Sequence, residues 1–268
     1  MKKVVCTLGF LALAAQLPLW SYDSSPSDMQ IIPEAIWAPA TGGGTWVTEL
    51  QVLSLSSTPA DVIVFFCCSG YSTPTFQICY GLAQFHGARF SNILATIDSL
   101  DPGSRVYYGQ VGTLFISTVD SNSRIQVQAK TVNGNYGKTF PGLNIVEGNT
   151  AAVGRPLILL DLVRNATYRT FVGAYSPPSS TTSVVRFQII DGNNVQVGSS
   201  FDKTFLPNTF MSFSPFTEAG ITSGNYENCY LLIDVLSGAS GADGVFCFGS
   251  IANNYTNDTY ALIAKIYN

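Results

Sequence analysis

Histidine is nearly absent: His86 is the only one in 268 residues. A Ser-His-Asp or Cys-His site needs an imidazole to carry the proton, so only His86 could serve one. It sits in Phe85-His86-Gly87-Ala88, between a strand and a helix signal, and no Gly-x-Ser-x-Gly elbow accompanies it. It reads as a loop histidine. The count also excludes a histidine-based zinc site, and no Cys-x-x-Cys pair replaces it. Charge is scarce as well. Charged residues make up 11% of the chain, against about 25% in ordinary globular proteins. The 13 Lys and Arg are spread thinly under a net charge of −4, so no basic run could neutralise a row of phosphates, and nucleic acid is excluded as a partner. A phosphate loop is missing too: Thr41-Gly42-Gly43-Gly44-Thr45 is followed by a strand signal and no lysine. Glycoside hydrolysis needs two facing carboxylates. Asp61, Asp101, Asp120, Asp191 and Asp258 fall in turns, where Asp bonds its own backbone. Glu49 and Asp234 lie in strands and read as solvent-facing. No catalytic residue, metal ligand or cofactor is assigned.

What the chain does have is apolar character (46% of residues) and 24 glycines. It opens with Lys2 and Lys3, an apolar run from Val4 to Leu19, and Ala12-Leu13-Ala14 as a small-x-small cleavage site. That is the pattern of an export signal. The run is short for a membrane span and Pro18 interrupts it. Residues 1–21 are therefore read as a signal peptide and 22–32 as a flexible lead-in, with no membrane span after removal. Five cysteines then remain in a chain bound for an oxidising compartment. Cys229 and Cys247 lie on successive strands around Ser237–Gly244, which predicts a bridge between them. Cys79 is predicted to meet Cys67 or Cys68 across a hairpin. Adjacent strand residues face opposite ways, so only one of those two can pair.

Strand signals dominate the rest. In the first half they cover Thr45–Leu53, Asp61–Cys68, Phe76–Leu82, Thr113–Val119 and Arg124–Thr131, with Asn133-Gly134 as a turn. Ser91–Ser99 is the one helix signal there: Ser91 can cap it, and Ile93, Leu94 and Ile97 share a face. A second cycle covers Leu157–Leu162, Tyr168–Ala174, Val184–Ile190, Val195–Phe201, Phe205–Phe213, Cys229–Leu236, Val245–Ala252 and Tyr260–Ile266. The cycles match: Thr45–Leu50 with Arg169–Ala174, Val62–Phe66 with Val184–Ile190, and Gly112–Ile116 with Cys229–Ile233. Trp46 is matched to Phe171 and read as core. The spacing, about 115–125 residues, is that of one sandwich. The expected fold is all-β: two tandem antiparallel β-sandwich domains, Ig-like or jelly-roll-like, at 33–148 and 149–268, with a short helix in the first.

The segment Val245–Tyr260 (VFCFGSIANNYTNDTY) resembles a motif of exported bacterial tandem β-sandwich repeat proteins: aromatic-x-Ser, a short gap, Asp-Asn-x-Thr-Gly-Asp, then an aromatic. Thr45–Leu55 is similar to their opening strand. The sequence departs from the motif at Ala252 and Asn257. The resemblance covers residues 33–268 and implies a fold and a compartment; no reaction comes with it.

Two binding chemistries remain. Asn253, Asn254, Asn257 and Asp258 form an oxygen-rich loop, but calcium favours several carboxylates, and a hydrogen-bonded turn is the simpler reading. Trp37, Tyr107, Tyr108 and Tyr136 are candidates for stacking on sugar rings. The sequence thus points to a secreted, non-catalytic structural or binding module at the cell surface or beyond. A self-assembling filament or matrix subunit, partnered with itself, is one form of it. The alternative is an accessory module binding a cell-surface glycan, and a hydrolase ranks last.

Overall fold

The computed structural model describes residues 25–40, 43–68, 76–100, 106–144, 150–177, 180–240, 244–256 and 258–267. Residues 1–21, expected as a signal peptide, residues 69–75, expected as a loop, and the boundary stretch at Glu147-Gly148-Asn149 lie outside these residues.

The first half contains β1 (Met29–Pro39), β2 (Thr45–Ser54), β3 (Ala60–Cys68), β4 (Phe76–Leu82), β5 (Gly87–Phe90), α1 (Ile93–Leu100), β6 (Gln110–Thr118), β7 (Ile125–Asn133) and β8 (Tyr136–Pro141). The second contains β9 (Thr150–Ala151), β10 (Leu157–Arg164), β11 (Tyr168–Ser176), β12 (Ser183–Ile190), β13 (Phe201–Phe205), β14 (Thr209–Phe213), α2 (Pro215–Glu218), β15 (Tyr226–Ser237), β16 (Val245–Asn253), β17 (Thr259–Ile263) and β18 (Lys265–Ile266). All described pairings of these strands are antiparallel.

The two halves repeat one topology. The first sheet runs β4-β3-β6-β1-β2-β7-β8 with β5 on β2; the second runs β13-β12-β15-β10-β11-β16-β17 with β14 on β11. Adding nine to each strand number of the first gives the second. In each, the first and second strands join only at one end, Trp37–Pro39 to Thr45–Val47 and Arg164 to Arg169. The continuous ladder is therefore a sandwich folded at that corner. We call β4-β3-β6-β1 and β13-β12-β15-β10 the front layers, and β5-β2-β7-β8 and β14-β11-β16-β17 the back layers. The fold is all-β, as the alternation implied, with a short helix in each half.

The register defines equivalent residues. β1 bulges between Ile32 and Ala35, and β10 between Leu159 and Leu162. Thr48 Oγ1 accepts from the Ile36 amide and donates to the Ile36 carbonyl. Thr170 makes the same pair of bonds with Val163. Thr48 and Thr170 are thus equivalent, which makes Tyr168, not Phe171, the counterpart of Trp46. The matches of β3 with β12 and β6 with β15 stand as read.

Other expectations change. Residues 29–32 are not a flexible lead-in. They open β1, where Gln30, Ile31 and Ile32 are wholly inaccessible, and Ser27 already bridges to Ile125. The Ile-Ile pair supplies the apolar area that orders them. Val195–Phe201 is not a strand; the strand begins at Phe201. Phe205–Phe213 is two strands, broken at Leu206-Pro207-Asn208. Pro207 has no N–H for a ladder, and Asn208 takes a φ of +54°, a conformation that Asn tolerates.

Neither predicted bridge forms. Cys229 and Cys247 are free thiols. β15 is in the front layer and β16 in the back layer, separated in the sheet order by β10 and β11, so successive strands are not neighbours here. Cys67 is likewise a free thiol. The Cys79 backbone lies opposite Ile63, four residues along β3 from Cys67. That offset is about 13 Å, beyond the 7 Å or so that a disulfide spans. The Cys79 side chain lies outside the described residues.

Candidate functional site: the junction between the repeats

Two apolar clusters form, and one crosses the repeat boundary. Tyr175, Phe210, Phe246, Phe248 and Ile263 of the second half pack with the core residues of the first. The contact is one-directional: the front layer of the first repeat, together with β8 at its edge, meets the back layer of the second. Phe115 on β6 packs on Tyr175 at 5.1 Å between centroids, and Phe140 meets Phe248 edge-on at 5.9 Å. Gly173 lies beneath the Phe248 ring, where a Cβ would fall 2.1 Å from Cζ. Every residue of β16 from Val245 to Ala252 is buried, because its two faces serve two interiors.

Two polar groups are locked into this junction. In the first, Glu34 leaves the β1 bulge and Lys138 comes from β8. Their Oε1 and Nζ stand 2.7 Å apart with both side chains buried. Oε1 lies off the hydrogen-bond direction, so the attraction is chiefly Coulombic. Nζ also donates to Ser250 Oγ of the second repeat at 2.8 Å and sits over the Phe140 ring. The pair floors a cleft of about 340 Å³ lined from both repeats, with Trp46, Arg169, Phe171 and Thr259 on its walls. Thr259 Oγ1 is buried there with no hydrogen-bond partner. Trp46 is thus a half-buried cleft residue, and Phe171 belongs to the interface.

In the second group, Asn208 Oδ1 accepts from Tyr175 Oη at 2.7 Å and from Cys67 Sγ at 3.0 Å. The Nδ2 of Asn208 is buried without a partner. Burial pushes the Cys67 thiol up to about 11, against the pull of its bond with Tyr175; it pushes Cys68 to about 11 also. Burial and the neighbouring Cys67 push the Tyr175 hydroxyl upward as well. A nucleophilic cysteine needs the opposite shift. These groups are neutral interface hydrogen-bonders.

The sequence candidates for chemistry are placed elsewhere. His86 is exposed in a turn, where its amide donates to the Ala83 carbonyl and its carbonyl accepts from Ser54. Glu49 pairs with Arg89 at 3.0 Å on the back layer of the first repeat. Asp234 faces Arg186 across the front layer of the second, and Arg186 forks onto Asp202 at 2.9 and 3.0 Å. The two strand carboxylates are not brought together. Asn253 Oδ1 accepts from the Tyr255 and Thr256 amides, and Arg169 donates to Asn254 Oδ1; these oxygens build a turn. Asn257 lies outside the described residues. No group of three or more His, Cys, Asp or Glu among the described residues could hold a metal.

The aromatic candidates gather at one pole of the first repeat. Trp37 stands at the end of β1 and packs edge-on against Tyr108 at 5.8 Å. Tyr107 and Tyr108 precede β6 and are about half exposed, and Tyr136 is exposed at the start of β8. Sequence reasoning did not find Glu34, Lys138, Tyr175, Asn208 or Ser250. No described helix is long and apolar enough to cross a membrane. No family model matches this chain, and no curated protein matches it.

Proposed function

We propose that the protein is exported and works at the cell surface or beyond as a non-catalytic structural module that assembles with copies of itself. The observation that carries this reading is the direction of the repeat contact. A front layer packed on a back layer is a heterologous joint, and such joints propagate unless a rotation closes them. Each molecule keeps the front layer of its second repeat and the β5-β2-β7 part of the back layer of its first outside its own joint. The buried polar groups support the same reading, since they hold the repeats together and leave neither an activated thiol nor a facing pair of carboxylates. Sedimentation and electron microscopy of the chain lacking residues 1–21 test it. Species that lengthen with concentration are expected; a strict monomer at high concentration would overturn it.

A glycan-binding role is the second reading, supported by exposed Tyr108, edge-on to half-buried Trp37, and its neighbours Tyr107 and Tyr136. Aromatic faces of this kind suit sugar stacking. A glycan array probed with the wild type and with Tyr108→Ala decides it: binding lost in the variant supports it, and an array without signal removes it.

A further inference from the structure

We propose that the open edge of the second repeat is a docking groove for the first repeat of another copy of this chain, joined as the two repeats within the molecule are joined. The inference rests on the assembly reading above and assigns its interface.

The argument starts from what fills the same place in the first repeat. There the edge between β1 and β8 is covered by β17 and by the Phe248 and Ser250 side chains of β16 from the second repeat. Ile31, Phe140 and Leu143 are wholly inaccessible, Phe248 packs on Phe140, and Ser250 accepts from Lys138. Register gives the counterparts in the second repeat. Ile158 stands for Ile31 and Asp161 for Glu34, because both bulges fall at the same step of equivalent ladders. Tyr260 stands for Lys138 and Leu262 for Phe140, because they pair with equivalent residues of β16 and β7. Lys265 stands for Leu143, each pairing with the equivalent isoleucine.

In the second repeat no described residue of the first covers this place. It is a groove of about 270 Å³ lined by Ile158, Leu160, Asp161, Leu262, Ile263 and Lys265, among others, with Leu160 52% exposed. Burial, and after it the charge of Asp161 and the neighbouring Tyr168, push the Tyr260 hydroxyl upward.

The occupant follows from the same equivalence. The strands seated on the filled edge are β16 and β17, whose counterparts are β7 and β8 on the outer back layer of the first repeat. Gln126, Gln128 and Lys130 of β7 hold the positions of Phe246, Phe248 and Ser250. The charges change places in a complementary way. Inside the molecule the acceptor edge supplies both Glu34 and Lys138, and the incoming strand supplies a neutral Ser250. At the open groove a tyrosine replaces the lysine and Asp161 keeps its negative charge, while the incoming β7 carries Lys130 at the serine position. The cation of the pair comes from the partner. The internal joint is aromatic and permanent; the joint between copies pairs an apolar groove with a polar, soluble face. That difference lets single copies remain in solution before joining.

Leu160, Asp161 and Lys130 lie on exposed positions outside the internal joint. Leu160→Glu and Lys130→Glu should therefore keep the wild-type melting curve, and each should weaken association about tenfold or more, as charge reversal at an interface does. Sedimentation of the chain lacking residues 1–21 is the readout. A one-to-one mixture of the two variants should give dimers and nothing longer, since each retains one intact face. Asp161→Lys combined with Lys130→Glu in one chain should recover association. If the wild type assembles and both single variants assemble equally well, this groove is wrong and assembly stands. If the mixture stays monomeric, the front-to-back joint is wrong. A wild type monomeric at every concentration overturns the assembly reading and this interface with it.

Discussion

At the scale of single residues, the junction sets two tests. Lys138 and Glu34 form a buried ion pair. Such a pair contributes little net stability beside an apolar substitute, yet removing one partner strands a charge at a cost of about 3–5 kcal/mol. Lys138→Met should destabilise by roughly that amount in urea titrations, and Lys138→Met with Glu34→Leu should recover most of it. Equal losses in the single and double variants would show that the two charges are not coupled. The thiols set the second test. Cys67 and Cys68 have values raised by burial to about 11, and Cys229 and Cys247 are also shifted upward by burial. A raised thiol value means that the unfolded chain loses its proton first. Stability is then fully present below the ordinary thiol value of about 8.5 and is lost as pH rises toward 11. Folding free energy measured from pH 7 to 10.5 should fall only in the upper part of that range, and native thiol labelling at pH 8 should be slow. Rapid labelling of Cys67 in the folded protein would contradict its place in the junction.

At the scale of elements, alternation along β3, β7 and β12 made the strands and their inward faces legible, because one buried face and one open face write a period of two into the chain. Most of the missed elements carry no such signal. β1 has nine consecutive buried or half-buried apolar and polar positions around Pro33-Glu34, since a bulge and a second repeat cover both its faces. Phe205–Phe213 reads as one apolar run, and only Pro207 and Asn208 betray the break. The junction itself was partly readable. Positions Glu49, Gln51 and Leu53 of β2 become Phe171, Gly173 and Tyr175 in β11, and Gln126 and Gln128 of β7 become Phe246 and Phe248 in β16. A face that is polar in one copy and aromatic in the other is a face that one copy exposes and the other covers. The pairing of Trp46 with Phe171 conceals this by shifting the alignment three residues. The partners across the junction could not be read at all: nothing local in Cys67, Asn208 or Lys138 records that they meet residues 33 to 141 positions away. The Cys229–Cys247 bridge fails for a related reason, since order in sequence is not order in the sheet, and the Cys67–Cys79 bridge fails on register within neighbouring strands.

At the scale of the molecule, the two sandwiches have separate inner cores but share a cluster across the junction. The shared cluster decides how the protein unfolds. If the junction contributes several kcal/mol, neither repeat opens without exposing the aromatic face of the other, and the two melt together. The Phe248 ring is the centre of that coupling: it touches Phe140 of the first repeat, stacks with Phe210 of its own, and lies over Gly173. Phe248→Ala removes it from the joint without reaching the second inner core, and a large-to-small change at a buried aromatic costs about 3–5 kcal/mol. Scanning calorimetry of the wild type should show one transition with equal calorimetric and van't Hoff enthalpies. The Phe248→Ala variant should show two, with the first repeat melting earlier, since its edge at Ile31 and Phe140 would then face water. Two transitions in the wild type would mean that the repeats are independent bodies. A single lowered transition in the variant would mean that the joint is held elsewhere, by Tyr175 and Asn208 against Cys67 and Phe115.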